Sequence, residues 1–233
     1  MFQSFEESAS SAASANRLEL LRAELSHLGV DGFIVPRADE HQGEYIPDAA
    51  ARLAWLTGFS GSAGYAVVLP DSATLFVDGR YTTQARDQVD PAVVRTASSI
   101  DTPLARYLSS VAAGLTIGFD PWLHTQAEAA ALRKAAEETG FKLVPLPHNP
   151  IDRIWQDRPL PPKGKVVQHP ETLAGRSAAA KLEEMAETMR AAGGTAAVLT
   201  DPSSIAWVFN IRGQDVPHTP LPLSFALLKS DGR

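Results

Sequence analysis

The residues best suited to chemistry in this chain lie in three short stretches. Asp39-Glu40-His41 sets two carboxylates beside an imidazole. Such a group suggests a metal site, but adjacent ligands do not converge easily, and the i, i+4 spacing of a helical zinc site is missing there. The stretch reads instead as a loop motif that orders its domain. Gly58-Phe59-Ser60-Gly61-Ser62-Ala63-Gly64 has a G-x-x-G-x-x-G spacing, which is not the dinucleotide fingerprint. It precedes a strand pattern rather than opening a helix, the wrong context for cradling phosphate. No strand pattern leads into it, so it is no nucleophile elbow either. Its glycines suit tight or positive-φ backbone. Asp78-Gly79-Arg80-Tyr81 closes a hairpin pattern on an arginine. The planar fork of Arg80 suits a carboxylate, and it could equally pair with Asp78 or Glu44 and only close the turn.

Composition narrows what these residues can serve. The chain has 233 residues, 44% hydrophobic and 21% charged, with a net charge of −6. That is an ordinary globular balance with enough apolar material for a sizeable core. The acidic balance excludes the electrostatic footprint of nucleic-acid binding. The densest basic group, Arg133-Lys134 with Lys142, is interleaved with Glu137 and Glu138 and reads as a solvated helix face. With no cysteine, disulfides and thiolate metal sites are excluded, which fits a cytoplasmic location. No apolar run reaches the ~18 residues of a membrane span. Residues 1–15 are rich in Ser, Ala and Glu, without the basic start and apolar core of a signal peptide, and read as a disordered tail.

The elements that must position the three stretches follow from periodicity. Leu18, Leu21, Leu25 and Leu28 form one apolar stripe, predicting a helix over Asn16–Leu28 with Asn16 as its cap and Gly29 at its end. Gly32–Val35 is a buried strand, ending at Pro36. A short helix at Ala49–Thr57 buries Leu53 and Leu56. Strands Tyr65–Leu69 and Thr74–Val77 form a hairpin across the Pro70–Ala73 turn. Arg80–Gln88 is helical, Pro91–Arg95 a strand, Thr102–Val111 a helix, Leu115–Phe119 a strand, Thr125–Thr139 a helix and Phe141–Val144 a strand. Residues 16–150 thus read as one α/β domain, a mixed sheet flanked by helices. Seven prolines between Pro145 and Pro170 predict an extended linker over 151–172 with a short ordered piece near Ile151–Trp155.

The opening pattern then returns over 173–233. Ala178–Ala192 is an amphipathic helix, Thr195–Thr200 a strand, Ile205–Phe209 a helix and Ser224–Leu228 a strand. Arg52–Gly58 aligns with Ser204–Asn210, and Val67–Asp71 with Leu227–Asp231. The unit is duplicated. Trp55 and Trp207 fall at equivalent positions, which favours core packing, whereas Trp122 is a candidate interface residue. The second copy stops at Arg233 in the matching hairpin turn, which would leave a row of strand groups unpaired. The expectation is a truncated second domain of a longer protein.

Three motifs in order carry a resemblance over nearly the whole chain: Asp39-Glu40-His41-Gln42-Gly43-Glu44-Tyr45-Ile46-Pro47, Trp55-Leu56-Thr57-Gly58-Phe59-Ser60-Gly61-Ser62-Ala63-Gly64, and Val77-Asp78-Gly79-Arg80-Tyr81 with Gln84-Ala85. Together they resemble the N-terminal domain of Xaa-Pro aminopeptidases (peptidase family M24B), and more broadly the creatinase/prolidase N-terminal domain. The linker and second copy resemble the three-domain form. Creatinase and prolidase themselves have one such domain, so the repeat argues against them. The resemblance implies a ribonuclease H-like α/β fold, a mixed sheet flanked by helices, duplicated. It implies a parent enzyme that releases the residue before proline with a metal-bound water. Two manganese ions would be held there by two Asp, one His and two Glu of a third domain that has no counterpart here. This chain would then be inactive, with no catalytic residue, metal ligand or cofactor of its own. It would shape substrate access and a homodimer interface, with a proline-second peptide as partner and neither nucleic acid nor membrane. Arg80 would meet a peptide carboxylate, with His41 and Tyr45 lining the cleft. The rival reading is a stand-alone, catalytically inactive scaffold.

Overall fold

The computed structural model describes residues 11–232. They fall into two compact units. One holds the chain up to Glu40 together with Ala50–Pro159, and the other holds His41–Ala49 and the chain from Leu160 onward.

The first unit is a six-stranded mixed sheet with helices on both faces. Its strands are β1 (Gly32–Pro36), β2 (Tyr65–Val68), β3 (Ala73–Val77), β4 (Arg95–Ser98), β5 (Thr116–Phe119) and β6 (Lys142–Pro145), in the order β4-β3-β2-β1-β5-β6. Only β2 runs antiparallel to its neighbours, β1 and β3; β1 with β5, β5 with β6 and β3 with β4 are parallel pairs. Side chains alternate across a strand, so β1 serves two cores. Phe33 and Val35 face a cluster with Leu18, Leu21, Leu53 and Phe59, while Ile34 faces one with Phe76, Leu108, Ile117 and Leu132. The helices over the first face are α1 (Ser14–His27), α2 (Arg52–Thr57) and α3 (Thr82–Gln88), with α6 (Pro150–Ile154) against α1; α4 (Leu104–Val111) and α5 (Gln126–Thr139) cover the second.

Several boundaries differ from the sequence expectation for local reasons. The first helix begins at Ser14, after a 3-10 turn at Ser11–Ala13, and its cap position is Ala13, so Asn16 does not cap it. Tertiary contact sets this start: a Cβ on Gly58 would lie 2.7 Å from the Ser11 backbone nitrogen. The part of the expected tail before Ser11 lies outside the described residues. The strand expected at Pro91–Arg95 forms only from Arg95. Asp90 and the residues after it make a turn instead, with Ala92 N–H donating to Asp90 Oδ1 at 2.9 Å and Val94 N–H to Asp90 O at 2.9 Å. The α5 helix has a capping box, formed by Thr125 and Glu128, and ends on Gly140 at φ +78°.

The second unit repeats the opening order. A helix, α8 (Ala178–Ala191), is followed by β8 (Ala196–Leu199), α9 (Pro202–Phe209) and β10 (Ala226–Lys229), with β10 antiparallel to β8 as β2 is to β1. Within the proline-rich stretch, β7 (Val167–Gln168) pairs with β9 (Ile211–Arg212), and α7 (Glu171–Ala174) ends on Gly175 in the left-handed region. Neither short element has enough periodic sequence to announce itself. The repeat reaches single atoms. In α1, Arg17 Nη1 donates to Trp55 O and its guanidinium lies 4.7 Å from the Trp55 ring; in α8, Lys181 Nζ donates to Trp207 O at 2.7 Å and lies 4.4 Å from the Trp207 ring. The helix after each strand ends left-handed, at Gly58 (φ +83°) and Asn210 (φ +50°). The two tryptophans differ in one respect. Trp55 stacks on Trp155 at 5.3 Å, whereas Trp207 is 54% exposed, which corrects its assignment to the core. No ring among the described residues stacks on it.

Candidate functional site

Because β1, β3, β4, β5 and β6 run the same way, their carboxyl ends share one edge of the first unit's sheet. Open α/β sheets bind ligands at such an edge. Arg37 and Asp39 follow β1 there, Asp78 and Arg80 follow β3, and Asp120 follows β5.

Arg80 stands on the tight turn between β3 and α3. Asp78 receives its Nε at 3.1 Å and its Nη2 at 2.8 Å, and Asp78 Oδ1 also accepts from the Arg80 backbone N–H at 2.9 Å. These bonds, led by the side-chain one, hold the Asp78 carboxylate below its ordinary value of 3.8. The Arg80 guanidinium lies 5.2 Å from the Tyr81 ring and its side chain is 66% exposed. The pairing with Asp78 is thus real, and it orients the arginine without burying it.

Beneath the turn, the glycine- and serine-rich loop acts as packing. Phe59 is fully buried and meets the Tyr81 ring edge-on at 5.8 Å, and Tyr81 Oη lies 2.7 Å from Ser62 Oγ. A Cβ on Gly61 would strike the Phe59 ring and lie 2.8 Å from Tyr81 Cδ1. One on Gly64 would lie 2.8 Å from Phe76 O. The glycines are therefore demanded by two rings and a strand carbonyl. Ser60, Gln84 and Gln88 tie the same loop to α3, with Ser60 N–H donating to Gln88 Oε1 at 2.9 Å. The sequence motif contained these residues, but nothing in their spacing showed that Tyr81 and Phe59 would support Arg80. Arg37 was not singled out at all. Burial pushes its guanidinium down from the ordinary value, and nearby Asp39 pulls it up.

The three residues expected to act together are divided between the units. Arg80 belongs to the first, while His41 and Tyr45 belong to the second. In that unit His41 Nδ1 lies 3.0 Å from Thr200 O, where it can only donate, and its ring stacks on Phe225 at 4.4 Å. Tyr45 is 61% exposed and Trp122 is 68% exposed. Asp39, by contrast, is buried, so the Asp-Glu-His run does not present its donors to one point.

A mixed sheet flanked by helices, with an Asp-Gly-Arg-Tyr turn at its carboxyl edge and its opening order repeated in a second unit, defines an α/β fold. The chain belongs to the creatinase/prolidase N-terminal domain family: that family's model matches residues 17–154, and a second model of the same description matches residues 157–233. A probable Xaa-Pro aminopeptidase P of Aspergillus flavus is 36% identical over 218 residues, covering 92% of this chain and 33% of that protein. Aminopeptidase P2 of Arabidopsis thaliana is 37% identical over 209 residues, covering 88% and 29%. The crystal structure of the X-prolyl aminopeptidase of Caenorhabditis elegans, a cytosolic enzyme with a di-nuclear active site, matches with a TM-score of 0.88 at 30% identity, covering 94% of this chain and 38% of that one. The chain thus spans about a third of the length of the relatives it matches. Among the described residues, no three of His, Cys, Asp or Glu converge to hold a metal ion. The donors among those residues do not fit a di-nuclear centre.

Proposed function

We propose that this chain is the non-catalytic N-terminal part of a metal-dependent aminopeptidase that releases the first residue of peptides with proline second. Its role is to bind and admit the peptide and to contribute to a homodimer. Arg80 meets the peptide carboxylate, His41 and Tyr45 line the approach, and two manganese ions act in a catalytic domain carried by the longer, cytoplasmic protein. The observation that supports this reading best is the Arg80 turn. Asp78 and the Tyr81 ring orient an exposed guanidinium at the sheet's carboxyl edge, in a chain 36% identical to the A. flavus relative over most of its length.

The test compares the full-length protein and this chain on a tripeptide with proline second, each with manganese. Cleavage by the full-length protein and none by the chain is expected; cleavage by the chain alone would overturn the assignment. In the full-length protein, Arg80→Ala should raise KM about 10- to 100-fold, the worth of a charge-assisted hydrogen bond, with a smaller effect on kcat. Unchanged kinetics would remove Arg80 from the site.

A further inference from the structure

Arg37 stands on the same edge of the sheet as Arg80, two strands away. Its backbone N–H donates to Gly64 O at 2.9 Å, just past the end of β1. Pro36 pairs with Tyr65, and Tyr65 with Phe76, so Arg37 and Val77 leave the sheet at the same level. In the order β3-β2-β1, the usual strand spacing sets them ~10 Å apart. Alternation along β1 puts Arg37 on the side of Phe33 and Val35, the face on which Phe59 and Tyr81 pack. Tyr81 is common to both cations. The Arg80 guanidinium lies 5.2 Å from its ring; burial pushes the Arg37 guanidinium down from its ordinary value, and Asp39 and Tyr81 pull it back up. Yet among the described residues no carboxylate forms an ion pair with Arg37. Its Nη1 is enclosed without a hydrogen-bond partner, while the residue as a whole is only half-buried. A partner must therefore approach the guanidinium from its solvent side, at the edge where Arg80 is exposed.

We propose that Arg37 is a specificity-determining residue: it takes the side-chain carboxylate of a peptide whose last residue is Asp or Glu, while Arg80 takes the terminal carboxylate. The inference rests on the peptide-binding role of Arg80. A guanidinium drawn partly out of water without a hydrogen-bonded partner is costly, and a ligand carboxylate that reaches it removes that cost. The planar fork suits a carboxylate and gains less from a neutral amide. The two carboxylates of a terminal Glu lie a few bonds apart, and two arginines rooted ~10 Å apart can take one each across the Tyr81 ring. Buried Asp39 and the Arg80-bound Asp78 offset both charges. The preference thus comes from direct contact rather than from a long-range field, and specificity is the difference between the two contacts.

The experiment uses the full-length protein with manganese and two tripeptides with proline second, one ending in Glu and the other in Gln. KM for the Glu peptide should be about 5- to 20-fold lower, the worth of one partly exposed charge-assisted contact, with similar kcat. Arg37→Met, which keeps the apolar stem, should bring the ratio of the two KM values close to one, and Arg37→Lys should retain part of the preference. Arg80→Ala should raise KM for both peptides and leave Glu preferred. A ratio near one in the unaltered protein, or a Glu preference that survives Arg37→Met, would overturn the role of Arg37 while leaving Arg80 in place. An equal rise in KM for both peptides in Arg37→Met, with the preference intact, would mean that the two arginines share the terminal carboxylate, and would overturn it too. If Arg80→Ala changes neither KM, the peptide reading itself fails and this inference falls with it.

Discussion

Arg80 and Asp78 show how a single turn sets up a charge. The Arg80 side chain is 66% exposed, so burial does not fix the arginine; the two-point bond to the half-buried Asp78 and the Tyr81 ring do. A carboxylate held below its ordinary value contributes its tie above that value and loses it as pH falls through the lowered one. The Asp78 carboxyl should therefore titrate below 3.8 when followed by carbon NMR. In Arg80→Ala the midpoint should return toward 3.8, and the Tyr81 ring resonances should lose their pH response in the same window. A midpoint at or above 3.8 in the unaltered chain would mean that the pair is not formed in solution, and with it the orientation on which the binding reading rests.

At the scale of elements, one ion pair joins pieces far apart in sequence. Arg52, in α2, is buried, and donates through Nε to Asp152 Oδ1 at 2.6 Å and through Nη2 to Oδ2 at 2.9 Å; Arg158 Nη1 meets the same Oδ2 at 2.7 Å. Removing the carboxylate leaves a buried arginine uncompensated. Asp152→Ala should cost about 3 kcal/mol in urea unfolding, the lower end for a broken buried pair because Asp152 is partly exposed. A loss under ~1 kcal/mol would place the pair with ordinary surface bridges. This pair was invisible in the sequence, because Arg52 and Asp152 each sit in a short helix with nothing to link them. What was legible obeys local rules. The leucine stripe of α1 and the two short strands joined by the Pro70–Ala73 turn are both decided within a few residues. The proline stretch misled because β7 and α7 depend on tertiary pairing with β9 and on a glycine stop. Trp207 misled for a related reason. The repeat fixed its backbone position and its cation, but Trp55 is covered by Trp155, which lies outside the repeated pattern. At the candidate site the motif located Arg80, yet the roles of Phe59, Tyr81 and Ser62 rest on ring packing that no spacing encodes.

At the scale of the whole chain, the two units differ in how much apolar surface they cover. The first wraps a six-stranded sheet between two buried clusters. The second has only two-stranded sheets among its described residues, and isolated pairs of strands are marginal in water. On its β8–β10 sheet, Val198 and Leu227 stand directly opposite each other, 69% and 58% exposed, with Phe225 nearby along the strand at 49%. Cross-strand apolar pairs stabilise a sheet chiefly when something covers them. Unfolding of this chain should therefore not be two-state. In a urea titration, the amides of β8 and β10 should lose hydrogen-exchange protection at lower denaturant than those of β1 and β2, and the exposed face should bind an apolar dye before the first unit melts. The tryptophans report separately: Trp207→Phe should remove the early fluorescence change and leave the late one, which Trp55, Trp122 and Trp155 of the first unit carry. A single transition with coincident probes would show instead that the second unit draws its stability from the first. In that case the Lys181 anchor and the His41–Phe225 stack would not suffice to hold the second unit as a separate folding body.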